Sequence, residues 1–321
     1  MINLRYLDCN TIPNSVIDVS TLSHLEYLDC SNNMLSSLDL SGNANLKTLK
    51  CGLNSISALA VENLPALENL DCSNNQITSL NVNGLVNLQT VYCSSNQLSS
   101  LNVNNLSNLT SLNSGYNQLT SLDVSNLTNL TTLYCYANPI GALSVSPLVN
   151  LTTLYCANDN LASLDVSTLT NLQYLECSSN QLTTLDVSNN GGLTNLECEY
   201  NLLTALDITN LPFLQRLRCD SNQLTSIDLS SSTKLESFMG MNNQFTTLDF
   251  SGYVFNPVNP GLLDYNFSSN PFLSYVNLKN SWHEIIGTDL TNMLNCPNLH
   301  YICQDEEFIN NTLPSLLDSN T

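Results

Sequence analysis

The sequence predicts a solenoid of 21-residue repeats, with a parallel β-sheet on one face and short extended segments or turns on the other. Two observations carry this. Leu4, Leu25, Leu46, Leu67, Leu88, Leu109, Leu130, Leu151, Leu172, Leu193, Leu214 and Leu235 recur every 21 residues without a slip. Around each runs one frame, as in Leu172, Leu175, Cys177, Asn180, Leu182, Leu185, Asp186, Val187 and Ser188. Twelve copies in phase point to an array of identical units.

Each column of the frame has a physical reason. One unit is too short to bury its own apolar face, so units stack and share a continuous core. The stretch leading to the Cys alternates with period two, the sign of a strand with one buried face, and stacked copies pair in parallel about 4.8 Å apart. The second stretch, as in Leu122-Asp123-Val124, alternates as well, which favours extended segments over helices on the opposite side. Similar spacing on both sides implies gentle curvature.

The Asn column (Asn33, Asn54, Asn75, Asn96, Asn117, Asn138, Asn180, Asn201, Asn222, Asn243) falls where the chain turns inward. A buried turn leaves backbone N–H and C=O groups that need partners, and an amide offers both donor and acceptor. Asp159 breaks the column and should mark a local irregularity. Ten of the twelve Cys form a further column that includes Cys72, Cys93 and Cys177, interrupted by Ser114 and Gly240. Such side chains point in parallel, a poor geometry for disulfides, so we expect small buried thiols.

After Asp249 the register fails. We expect regular repeats over 1–250, an irregular insertion loop over 251–272, and atypical final repeats with a C-terminal cap over 273–321. Leu273, Val276 and Leu278 resume a strand-like pattern, and Phe308, Leu313, Leu316 and Leu317 could cover the last coil. At the other end Met1-Ile2-Asn3-Leu4 opens inside a repeat, so we expect a segment of a longer protein whose export signal lies elsewhere.

Charge bounds the partner. Seven basic residues against 27 acidic ones give a net charge of -20, which repels phosphate backbones and disfavours nucleic acid. The same field favours a basic protein or peptide. No stretch is long and apolar enough for membrane insertion.

Catalytic signatures are absent. His283-Glu284 begins a metalloprotease motif, but Gly287 stands at the second His position. His24 has no partner column. Cys296, His300 and Cys303 lack the spacing of known zinc sites, which leaves a Cys296–Cys303 bridge or separate roles open. Asp165, Asp186, Asp207, Asp228 and Asp249 could gather a cation, or each could accept N–H bonds in its own turn. No cofactor or metal is expected.

Positions flanking the inward Leu point out of the sheet. They place Tyr92, Tyr134 and Tyr155 in one column, with Tyr116, Tyr136, Tyr27 and Tyr174 beside it. Asp29 and Asp71 precede these tyrosines, and Glu176, Glu197, Arg216 and Arg218 follow them. Exposed tyrosines are enriched at recognition sites, although cross-strand stacking would also account for them. The expected site is this cluster within an acidic face.

The frame resembles the leucine-rich repeat signature L-x-x-L-x-L-x-x-N-x-L, with Cys at the third Leu; the resemblance is close over residues 1 to about 250. The ending Leu299-x-x-Ile302-Cys303-x-Asp305-Glu306 is similar to the closing coils of exported repeat proteins of Bacteroidetes-type bacteria. The resemblance implies a secreted or cell-surface module. We expect it to bind a protein or peptide, with a glycan as the alternative on the same aromatics. Ice binding on rows such as Thr110, Thr131 and Thr152, and a plain structural spacer, are the remaining readings.

Overall fold

The frame folds as one rung per repeat. The structure, a computed structural model, describes residues 3–13, 16–251, 264–277 and 294–303. It divides into two compact units, residues 1–171 and 172–321. Among the described residues there is no helix.

In the first unit eight three-residue strands form a parallel ladder: β1 (Tyr6–Asp8), β2 (Tyr27–Asp29), β3 (Thr48–Lys50), β4 (Asn69–Asp71), β5 (Thr90–Tyr92), β6 (Ser111–Asn113), β7 (Thr132–Tyr134) and β8 (Thr153–Tyr155). Each pairs with the next in strict column register, Leu112 with Leu133 and Leu133 with Leu154. The opposite side is turned in this unit: the Leu106 N–H donates to Val103 O (3.0 Å) and the Leu109 N–H to Leu106 O (2.9 Å). The second unit continues the pattern with β9 (Tyr174–Glu176), β10 (Asn195–Glu197), β11 (Arg216–Arg218) and β12 (Ser237–Met239). It makes the same turns, the Leu211 N–H donating to Ile208 O (3.0 Å), and adds a short parallel sheet on the opposite side of its later rungs: β13 (Thr247–Asp249) pairs with β15 (Tyr275–Asn277), and β15 with β16 (Tyr301–Cys303).

The stretch expected as an irregular loop over 251–272 contains a rung. Strand β14 (Asp264–Asn266) lies beside β12, with Phe238 opposite Tyr265. The step is 27 residues instead of 21, and Tyr265, Phe267 and Asn270 occupy the Leu, Cys and Asn columns. Val276, expected on a sheet strand, instead pairs with Leu248 on the opposite side. Aromatic rings replace aliphatic ones here: Phe238 packs on Phe250 with centroids 5.5 Å apart, and Tyr265 stacks on Phe267 at 5.8 Å. Gly240 interrupts the Cys column because a Cβ there would lie 2.7 Å from the Phe238 ring. The cap residues 308–317 and His283 lie outside the described residues.

The Leu columns are buried, and so are the thiols of Cys72, Cys93 and Cys177. Burial pushes the Cys30 and Cys93 thiols up to about 12, which leaves them protonated and unreactive. Each inward Asn ties two rungs together. The Asn96 amide donates to Cys72 O (3.0 Å), Cys93 O (3.1 Å) and Ser94 O (3.3 Å), while its Oδ1 accepts the Ile77 N–H (2.9 Å). Asn75, Asn117 and Asn138 repeat this set, and Asn180 donates to Cys177 O (3.0 Å) and Ser178 O (3.1 Å). A second, solvent-facing Asn column escaped the sequence reading: Asn87, Asn108, Asn129 and Asn150 each donate to a carbonyl of the preceding rung at 2.9–3.0 Å.

At Asp159 the amide is replaced by a fully buried carboxyl. Its Oδ1 accepts the Asn138 N–H (2.9 Å), and the Cys135 thiol donates to Oδ2 (3.3 Å). Burial outweighs these bonds and raises the carboxyl from 3.8 to about 7.

Two outcomes follow from these bonds. Asn96→Ala leaves the buried Ile77 N–H without its acceptor and takes one of two donors from Cys72 O, Cys93 O and Ser94 O, and should lower unfolding free energy by about 2 kcal/mol in urea titration. Asn87→Ala, on the rim, should cost less than about 1 kcal/mol; equal losses would refute the inward column as the main tie. For Asp159 the folded state holds a proton that the unfolded chain releases, so its contribution to stability declines as pH rises from about 4 to about 7. Asp159→Asn should therefore stabilise the protein by on the order of 2 kcal/mol at about pH 8 and much less at about pH 4; a pH-independent difference would count against a buried acid.

Candidate functional site

The outward face of the first unit gathers the tyrosines. Strict register sets Tyr134 beside Tyr155, with ring centroids 4.8 Å apart and a tilt of 39°. Tyr136, just beyond β7, meets Tyr134 edge-on at 6.5 Å and Tyr116 edge-on at 5.2 Å. Tyr92 lies two rungs before Tyr134, across Asn113, and its hydroxyl accepts from Ser111 Oγ at 3.4 Å. Tyr116 is 59% exposed and Tyr92 37%, while Tyr134, Tyr136 and Tyr155 are half-buried. Burial, and secondarily the neighbouring Tyr92, pushes the Tyr134 phenol up, so it remains a hydrogen-bond donor at neutral pH.

Two departures from the frame support this cluster. Gly115 leaves room for the Tyr136 ring, since a Cβ there would lie 2.8 Å from it. Tyr116 adopts φ 51, the left-handed region that bulky residues rarely occupy. Gly115, next to Tyr116 and one rung before Tyr136, is the signal for this contact in the sequence.

The acidic surroundings expected for the tyrosines are not there. Between Cys72 and Asn158, Asp123 is the sole Asp, Glu, Lys or Arg. Asp71 is in register with Tyr92, but its Oδ1 accepts the Ser73 N–H (3.0 Å) and hydroxyl (2.6 Å). Asp29 is buried and holds Ser31 in the same way. Both acids bend onto their own turns, as a short carboxylate does when an N–H lies two residues ahead. The Asp column on the opposite side does likewise: Asp165, Asp186, Asp207, Asp228 and Asp249 each accept the N–H two residues on, at 2.8–3.0 Å.

The charged residues cluster in the second unit. Glu176, Glu197 and Arg218 stand in register on β9, β10 and β11. Arg218 reaches Glu199 (3.2 Å), Glu197 (3.7 Å) and Asp220 (3.8 Å). Glu199 is 5% exposed, and burial raises its carboxyl to about 7 despite Arg218. Burial also raises Asp220, and burial with Glu197 raises Glu176. Arg216 is exposed. The cluster is a partly neutralised structural network around one guanidinium.

No group of three or more His, Cys, Asp or Glu among the described residues could hold a metal ion. Cys296 is a free thiol, and the Cys303 side chain lies outside the described residues. The threonine row is tied inward: Thr110, Thr131 and Thr152 hydroxyls donate to carbonyls of the preceding rung at 3.0–3.1 Å. Among the described residues no helix is long and apolar enough to cross a membrane.

No protein-family profile matches the chain, and no curated protein matches it. Solved structures do. The functional domain of InlJ from Listeria monocytogenes, described as including a cysteine ladder, is 32% identical with a TM-score of 0.73. The match covers 86% of this chain, which spans 65% of the length of that domain. The internalin InlF from Listeria monocytogenes matches at 22% identity and TM-score 0.73, over 93% of this chain and 86% of its own. A leucine-rich repeat protein of Leptospira interrogans matches at 24% identity and TM-score 0.68, over 94% and 84%. The fold is a leucine-rich repeat solenoid, and its structural neighbours include bacterial leucine-rich repeat proteins.

Proposed function

We propose that the chain is a non-catalytic recognition module that binds a protein or peptide on the outward face of the first unit's sheet. The observation that carries this is the set of five tyrosines, Tyr92, Tyr116, Tyr134, Tyr136 and Tyr155, fixed by rung register on one surface and half-buried or exposed. Tyrosine offers a large rigid contact and a hydroxyl while losing little side-chain entropy, which suits an interface hot spot. Cross-strand stacking alone would place Tyr134 on Tyr155; it gives no reason for Tyr116 in a strained, exposed turn.

The likeness to the InlJ domain and the closing Leu299-x-x-Ile302-Cys303 motif support a secreted or surface-displayed bacterial protein, of the kind exported by Bacteroidetes-type bacteria. A basic partner draws support from the net charge of -20 and from Glu176 and Glu197, and it applies to the second unit more than to the tyrosines. A glycan is the second reading, favoured by the neutral surroundings of the tyrosines, and a glycan array separates it from peptide binding.

The test compares the parent chain with the Tyr134→Ala/Tyr155→Ala variant in capture from cell and culture extracts. The parent should retain a defined protein that the variant loses, with melting temperatures within a few degrees of one another. Undiminished capture by a folded variant would refute the site.

A further inference from the structure

We infer that the tyrosine face of the first unit accepts an uncharged, proline-rich segment in polyproline II conformation, and that Tyr116 is held in its strained turn for that contact. This rests on the reading that the face binds a peptide or protein.

The repeat supplies its own control. The turn position of Tyr116 is filled in other rungs of the unit by Thr11, Asn32, Asn74, Ser95, Ala137 and Asn158, which are small, short or suited to a left-handed backbone; Leu53 in this unit and Tyr200 in the second are the other bulky occupants. A bulky residue there costs on the order of 1–2 kcal/mol. Ser114 precedes it where the other rungs of the unit carry Cys, and Gly115 stands at a position that lacks a side chain elsewhere in the unit at Gly52 alone, before Leu53. Gly115 and Tyr116 together bring one exposed ring against Tyr136. The stacking, about 0.5–1.5 kcal/mol for such a pair, is of the size of the strain and offsets it at best. Stability alone therefore gives little reason for Tyr116.

Charge and spacing indicate the occupant. Asp123, the sole charged residue between Cys72 and Asn158, accepts the Ser125 N–H (3.0 Å) on the opposite side of the rung. A charged segment would leave water without ionic compensation on this surface. Tyr92 and Tyr134 stand two rungs apart, ~9.6 Å at ~4.8 Å per rung. A polyproline II strand repeats every three residues, ~9.3 Å at ~3.1 Å each. Residues i and i+3 on one edge of such a ligand therefore meet both rings. The Tyr134, Tyr136 and Tyr116 rings meet at 82°, so they form apolar corners suited to pyrrolidine rings. A polyproline II strand has no internal hydrogen bonds, and its carbonyls can take the tyrosine hydroxyls as donors.

The test is calorimetric titration of the full chain with capped nona-proline, alongside Tyr134→Ala and Tyr116→Asn. Nona-proline should bind saturably with little change between low and high salt. Tyr134→Ala should weaken it about tenfold and Tyr116→Asn several-fold. Tyr116→Asn should also melt at or above the parent's temperature, since Asn suits that turn; a residue kept for structure would lower it. Absence of nona-proline binding, equal affinity for folded variants, or a lower melting temperature of Tyr116→Asn would overturn the proposal. Binding of cellohexaose in place of nona-proline through the same tyrosines would overturn it in favour of a glycan. If Tyr134→Ala/Tyr155→Ala loses partner capture while nona-proline is inert, the site stands and this occupant fails; intact capture removes both.

Discussion

Everything in this molecule depends on how the inward turn of each rung is satisfied. A solenoid bends its backbone into its own core once per repeat, and each bend buries carbonyls and N–H groups that would cost about 1–3 kcal/mol each if left alone. The Asn amide answers this in one side chain, with Asn117 bonding Cys93 O of the preceding rung, Ser114 O of its own, and the Leu98 N–H. Because the bonds run between rungs, they fix register as well as stability. The outward columns inherit that register, which is why Tyr134 and Tyr155 fall side by side. The layout of the outward face is a consequence of core chemistry.

Repetition also makes departures informative. In an irregular fold a buried acid or a bulky residue at φ 51 has many possible local reasons. Here each column states what the fold prefers, and a departure is measured against its own neighbours. Asp159 gives up the donors that Asn supplies and keeps a carboxyl in the core. Tyr116 gives up an easy turn. The two differ in what they face: Asp159 lies against Cys135 inside, whereas the Tyr116 ring lies outside beside Tyr136. The first alters stability and its pH dependence; the second alters only the surface.

The period, the strands and the inward Asn were legible because each follows from one rule applied to every rung. Three things were not. The rung at Tyr265 was hidden by a 27-residue step and by Tyr265 and Phe267 standing in for Leu and Cys; aromatic packing with Phe238 and Phe250 replaced the pattern being sought. The local bonds of Asp29 and Asp71 were hidden because their column faces outward, yet the side chain is short enough to curl onto the N–H of Ser31 and Ser73. The outward-facing Asn column, including Asn108 and Asn129, reads as ordinary surface polarity, and only the structure reveals bonds to Val86 O and Ser107 O.

A net charge of -20 invites the picture of a uniformly acidic surface, and the distribution of charge contradicts it. Over the rungs that carry the tyrosines the chain is almost without charge, and salt screens exposed charges beyond about 8 Å. Charge elsewhere can speed an encounter, but it contributes little to discrimination at Tyr134. Specificity at the proposed site would come from ring geometry and hydroxyl hydrogen bonds, both short-ranged and both set by rung spacing. In the second unit the opposite holds: Glu197, Glu199 and Asp220 converge on Arg218, and burial raises Glu199 and Asp220, which weakens their field. Total charge is therefore a poor guide to the partner, and the positions freed from the core are a better one.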